Sequence, residues 1–170
     1  MEDEIIGLIG ALSSPDVDKR HGAEDRLVAM GEDAVLPLIE VLMEGDTDDT
    51  RWYAARTLAR IGEPAIKPLI LTMVVEDDRQ FRRYAAAALG SMGEIAVAPL
   101  IEAFATEDKE LRGFISLALC RIGAPATAPL KKLAKEGDER MQSCASLTLW
   151  KMGEEGIDEL VEALDEDETR

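Results

Sequence analysis

The stretch RIGEPAIKPLILTMV, residues 60–74, packs a helix end, a Gly-Glu turn, a proline and an apolar run into one short phrase. The same phrase stands at 29–43 (AMGEDAVLPLIEVLM) and 91–105 (SMGEIAVAPLIEAFA), and in weakened form at 121–135 (RIGAPATAPLKKLAK) and 151–165 (KMGEEGIDELVEALD). Its glycines are Gly31, Gly62, Gly93, Gly123 and Gly153, spaced by 31, 31, 30 and 30 residues. Pro37, Pro68, Pro99 and Pro129 keep step, and Glu159 takes the last place. A period of this size is the signature of stacked structural repeats.

Each repeat reads as two helices. The first precedes the glycine, as in FRRYAAAALGSMG (81–93), where Tyr84, Ala88, Leu89 and Met92 recur at helical steps. The glycine is expected to end it as a left-handed cap. In the second helix Ile66, Leu69, Ile70 and Met73 form one stripe, and Pro68 predicts a short turn or kink near its start. Acidic loops such as EGDTDD and VEDDRQ are expected to cap the next first helix. The N-terminal EIIGLIGALSSPD aligns with a second helix alone: Ile5, Leu8, Ile9 and Leu12 match Val35, Leu38, Ile39 and Leu42. The organisation read from this is one domain, 1–170. It comprises a half-repeat (1–15), five repeats (16–46, 47–77, 78–107, 108–137 and 138–165) and an acidic tail (166–170), with about eleven helices in all. A lone helix pair cannot bury its apolar stripe; a stack can.

The formal net charge is −16 in 170 residues, half of it in the last 18, where nine acids meet one base. Such acidity opposes contact with phosphate backbones and anionic membrane surfaces, so neither nucleic acid nor membrane is expected as a partner. Basic protein partners remain compatible with it. The acidic end reads as solubilising, or alternatively as a lure for a basic partner. Cys120 and Cys144 sit in apolar helical text and read as buried small hydrophobes of a reducing cytoplasm. The opening MEDEIIGL is acidic where a targeting segment needs positive charge, and no apolar run approaches 18 residues.

Arg20, Arg51, Arg82 and Arg112 each stand eleven residues before a glycine, with Gln142 breaking the column. Asp46, Asp77 and Asp108 fall in the preceding turns. The expected role is an Arg–Asp ladder between neighbouring repeats; a row gripping an anionic ligand is the alternative, against which the surrounding acids argue.

The pattern R..AA.AL..[IM]GE.A..PLI resembles HEAT repeats of the phycobilisome-lyase-like type. Arg82, Ala85, Ala86, Leu89, Gly93, Glu94, Pro99, Leu100 and Ile101 carry it, and it covers nearly the whole chain. Lys131, Glu159 and the divergent first helix DVDKRHGAEDRLVAMG, with His21 and Gly22, depart from it. The resemblance implies an all-α, right-handed α-solenoid of about five HEAT-like helix pairs plus the half-repeat, with second helices lining the concave side.

Some members of the wider family are enzymes. A di-iron hydroxylase branch takes its ligands from repeated His-Glu pairs, whereas this chain has one histidine, His21, and no such pair. No metal and no cofactor is therefore expected. A single histidine at the array's edge also makes no credible Ser-His-Asp set, and His21 reads as a partly exposed helix residue. The glycines end helices instead of forming a phosphate loop, and DEDE lacks calcium-loop spacing. No catalytic residue is expected. Another branch attaches or detaches bilins; that alternative, a tetrapyrrole lyase or lyase accessory, requires an apolar concavity with a cationic anchor, such as Lys67 or Lys132.

If Val35, Leu38, Ile39 and Leu42 point inward, the outward stripe of the second helices runs Ile6, Gly10, Ser13; Leu36, Glu40, Met43; Lys67, Leu71, Val74; Ala98, Glu102, Ala105; Ala128, Lys132, Lys135; Asp158, Glu162, Asp165. These columns vary where the core columns stay uniform, so they are free of the packing constraint. Leu36, Glu40, Met43, Lys67, Leu71, Val74, Ala98, Glu102 and Lys132 are the candidate partner-binding residues. Leu36, Met43, Leu71 and Val74 would form an apolar patch within a polar rim of Glu40, Lys67 and Glu102. Packing of these residues within the array is the competing reading. Lys131, Lys132 and Lys135 are expected to balance Glu162 and Asp165, with docking of an acidic peptide as the sharper alternative. Trp150, in a column otherwise holding Val28, Ala59, Gly90 and Cys120, is read as a cap, or as a seat for a second subunit. The chain is thus expected to be a non-catalytic protein-interaction scaffold for a basic, partly apolar protein or peptide. Weak self-association or a purely structural assembly role is a third possibility.

Overall fold

The structure, a computed structural model, describes residues 2–153. These residues form α-helices joined by short connections, with no strand among them: α1 (Glu2–Ala11), α2 (Val17–Met30), α3 (Val35–Glu44), α4 (Asp48–Ile61), α5 (Glu63–Val75), α6 (Arg79–Ser91), α7 (Val97–Ala103), α8 (Lys109–Ile122), α9 (Ala124–Glu136) and α10 (Glu139–Lys151). The chain divides into two compact units, Met1–Met92 and Gly93–Arg170. The boundary falls inside the third predicted repeat, between α6 and α7. Glu159, Asp158, Glu162, Asp165 and the acidic tail, with the last predicted helix, lie outside the described residues.

In the first unit α2, α4 and α6 pack in sequence as one layer, while α1, α3 and α5 form the other. In the second unit α8 packs on α10 and α7 on α9, with α9 lying extensively against α10. The expected stripe makes the core. Leu8, Leu12, Leu38, Leu42, Leu58, Leu69 and Leu89 are buried in the first unit, and Leu100, Leu119, Leu130 and Leu149 in the second. Leu69, Leu100 and Leu130 hold equivalent positions three repeats running and are each 0% exposed. Every first helix begins with a side-chain cap. Asp16, Thr47, Asp78, Asp108 and Asp138 accept from backbone N–H groups one turn on, which satisfies donors that have no partner inside the helix.

Three local expectations change. The repeat glycines do have positive φ, from 59° to 96°. At Gly31, Gly62 and Gly123, however, ψ lies between −124° and −135°, outside the left-handed helical region and in one that only glycine enters readily. Pro37 and Pro99 follow short 3-10 turns (31–34 and 93–96) and stand at the third residue of their helices, as expected of a turn. In the other two repeats there is no such turn. Pro64 and Pro125 sit in the first helical turn, where a missing N–H is harmless, and the helix continues past Pro68 and Pro129.

The third change concerns the arginine column, which reaches backbone carbonyls. Arg82, 2% exposed, donates from Nε to the carbonyls of Met73 (3.0 Å) and Glu76 (2.9 Å). Arg112 donates to Thr106 O at 2.8 Å, and Arg20 to Ser14 O. Gln142 reaches Lys135 O at 3.2 Å, filling the column that its identity had appeared to break. The column thus satisfies carbonyls at the C-terminal end of the preceding second helix (Met73, Glu76, Lys135) or in the loop just beyond it (Ser14, Thr106). Arg51 differs, its guanidinium lying 3.9 Å from Asp48 one turn away. Asp108 of the predicted acid row serves as the N-cap of α8.

Pairs between first helices supply what the ladder was expected to supply. Glu24, 0% exposed on α2, accepts from Nε of Arg56 on α4 at 2.7 Å and also from its Nη2. The hydrogen bond to Glu24 holds the Arg56 guanidinium above its ordinary pKa, against the opposing effect of burial. Arg56 also lies over the rings of Trp52 and Tyr53, 4.9 and 5.2 Å from their centroids. Arg60 pairs with Asp25 at 2.7 Å, and the Tyr84 hydroxyl donates to Asp48 Oδ1 at 3.0 Å. His21, exposed on α2, stands 6.5 Å from the Tyr53 ring.

Candidate partner-binding surface

The second helices α1, α3 and α5 of the first unit present their outward stripe to solvent. Leu36 is 63% exposed, Leu71 54% and Val74 51%, and Ile6, Glu40 and Lys67 are exposed as well. Met43 is only half-buried, so the predicted apolar patch is smaller there than expected. Leu36 and Lys67, Glu40 and Leu71, and Met43 and Val74 are equivalent pairs one repeat apart, and α3 packs on α5, so all six share one face. Val75, exposed at the end of α5, extends the apolar surface.

Between α1 and α3 lies a groove of about 370 Å³. Ile6, Ile9, Pro37 and Val41 supply its apolar part; Glu40, Glu44 and Asp46 supply its charge. Of the candidate partner-binding residues this groove takes Glu40 alone, with Ile6, Gly10 and Ser13 of the outward stripe beside it. Leu36, Lys67, Leu71 and Val74 stand on the exposed ridges of α3 and α5.

The second unit carries a larger groove between α7 and α9, about 690 Å³ in volume. It brings together three predicted residues, Ala98, Glu102 and Lys132. Sequence reasoning missed its floor of Ile101, Pro129, Leu133 and Met141 and its further acids, Glu94 and Glu136. The available signal was positional: Ile101 and Leu133 flank the core stripe and so edge the seam between neighbouring second helices. Lys132 lies 3.8 Å from Glu136, one turn on. Lys131 and Lys135 are engaged within the structure, and their predicted acidic counterparts Glu162 and Asp165 are outside the described residues. Trp150, read as a cap, is exposed, as are Leu117 and Leu147.

Among the described residues no three His, Cys, Asp or Glu side chains are grouped to hold a metal ion, and no helix is long and apolar enough to cross a membrane. Cys120 and Cys144 are free thiols. Burial raises the Cys120 pKa, and its Sγ lies 3.8 Å from Thr148 O.

Repeated helix pairs with a capped first helix, a glycine turn and an apolar-striped second helix define a helical-repeat protein. Residues 35–113 match the sequence family of HEAT repeats. No curated protein matches the chain. Among solved structures it is similar to the complex of CpcE and CpcF of phycocyanin lyase from Nostoc sp. PCC7120, at 22% identity over 87% of this chain and 99% of that one, with a TM-score of 0.45. It is also similar to two engineered proteins, each at 20% identity. One match covers 96% of this chain and 85% of the other (TM-score 0.37); the second covers 94% and 51% (TM-score 0.32). At these identities no ligand or activity transfers.

Proposed function

We propose that the protein is a non-catalytic scaffold of the cytoplasm that binds a basic, partly apolar protein or peptide through the outward faces of its second helices. The observation that carries this reading is the exposure of Leu36, Leu71 and Val74 on packed helices whose inward residues are fully buried. Apolar side chains held at fixed spacing in water, beside Glu40, favour a partner that covers them. Self-association is opposed by the like charge of two copies, −16 each. Two free thiols in helical positions fit a reducing compartment.

The tetrapyrrole reading rests on the resemblance to phycobilisome-lyase-like repeats. Its anchor Lys132 stands beside Glu136, with Glu94 and Glu102 also on the groove, and such a rim repels propionates. Lys67 remains exposed but lines neither groove. Incubation with bilins or haem should leave visible absorption spectra unchanged; a saturable shift would favour the pigment reading instead.

The scaffold reading is tested by affinity capture from the native host with the wild type and with Leu36→Asp/Leu71→Asp. Both positions are exposed, so the double variant should keep its helical circular dichroism and lose its captured partners. An unchanged set of partners would remove these residues from the binding surface.

A further inference from the structure

We propose that the α7–α9 groove is a docking slot for a cationic amphipathic helix of a partner protein, an inference that rests on the scaffold reading above. The groove's walls are α7, seven residues or about 10 Å long, and α9, 13 residues or about 20 Å, so the two helices flank about two turns of an incoming helix. Its floor is apolar, with Ile101, Pro129 and Leu133 contributing no side-chain donor or acceptor. Its rim carries Glu94, Glu102 and Glu136 against Lys132 alone, and Lys132 is already beside Glu136. Apolar side chains at i, i+3 and i+4 of an incoming helix meet the floor, while Lys or Arg on its flanks meet the glutamates. The second helices of the unit are hydrogen-bonded internally and offer no strand edge to an extended peptide, which favours a helical ligand.

The other occupants fit less well on charge. A second copy brings −16 to an acidic rim, and residues 154–170 of this chain carry nine acids and one base. A nucleic acid is repelled for the same reason.

The probe is a fluorescein-labelled Leu/Lys amphipathic peptide of about 14 residues, roughly 21 Å as a helix, with a Leu/Glu peptide of the same pattern as its counterpart. Anisotropy titrations use the full chain at low and high salt. The Leu/Lys peptide should bind, more weakly at high salt, and the Leu/Glu peptide should not. Glu102→Lys/Glu136→Lys should weaken binding by roughly tenfold or more, because it turns two attractive contacts repulsive. Ala98→Trp, an uncharged change at an exposed groove residue, should also weaken it by filling the slot. Asp33→Asn, at an exposed position that lines neither groove, should leave it within about twofold. Absence of Leu/Lys binding overturns the proposal, as does equal binding of both peptides, or binding indifferent to Glu102→Lys/Glu136→Lys and Ala98→Trp. Loss of native partners by Leu36→Asp/Leu71→Asp, together with no peptide binding, removes the groove and leaves the scaffold reading standing.

Discussion

A repeat glycine illustrates what one residue decides. Gly123 has φ 77° and ψ −135°, and a Cβ added there would meet nothing within 4 Å. Any effect of substitution is therefore backbone strain and not collision. Asparagine tolerates the left-handed helical region but not this one. Gly123→Ala and Gly123→Asn should accordingly destabilise alike, by about 1–3 kcal/mol, in thermal melts; a much milder asparagine variant would return the cap to the left-handed form read from sequence. Cys120 offers a second prediction. Its folded pKa lies above the ordinary thiol value because of burial. As pH rises, the unfolded chain loses this proton first, so the group favours unfolding only above the ordinary thiol pKa and is silent at neutral pH. In a Cys144→Ser background, native Cys120 should alkylate more slowly than in urea, because burial lowers its thiolate fraction.

At the scale of the element, what matters is how the end of one helix is finished by the start of the next. Arg82 lies inside the first unit and closes the carbonyls of Met73 and Glu76 at the end of α5. Arg82→Met keeps much of the volume and removes the donors, and should destabilise by about 1–3 kcal/mol, the penalty of buried acceptors left without partners. Arg112→Met, at a half-buried position with one such bond, should lose less. The order of the two in denaturant unfolding is the check. Between first helices, Arg56→Met leaves the Glu24 carboxylate buried without its partner. The expected loss is ~3–5 kcal/mol, and Glu24→Gln/Arg56→Met should recover part of it. If the single and double variants unfold at the same denaturant concentration, the pair is not what holds α2 to α4.

For the whole molecule, charge is the dominant long-range term. With a net charge of −16 the folded chain repels itself. Raising salt screens that repulsion more than it weakens exposed ion pairs, which contribute little each. The melting temperature should therefore rise between low and physiological salt by about 2–4 °C, corresponding to ~1 kcal/mol in a chain of this length. A fall would mean that pairs such as Arg60–Asp25 and Arg140–Glu107 outweigh the net charge.

Periodicity alone was enough to read the helix pairs, the half-repeat, the core leucines and the exposure of Leu36, Leu71, Glu102 and Lys132, because each follows from a local 3.6-residue period that neighbouring repeats reinforce. The φ/ψ region at the glycines, the carbonyl targets of the arginine column and the membership of the α7–α9 groove were not legible there. Arg82 and Gln142 share one task though their chemistry differs, since what they satisfy is a backbone carbonyl, which every residue carries and no sequence marks. Likewise Ile101, Leu133 and Glu136 become one surface only when α7 and α9 lie side by side. Sequence spacing fixes which face a residue occupies on its own helix; the distance between two helices is set by packing, and a groove exists only in that distance.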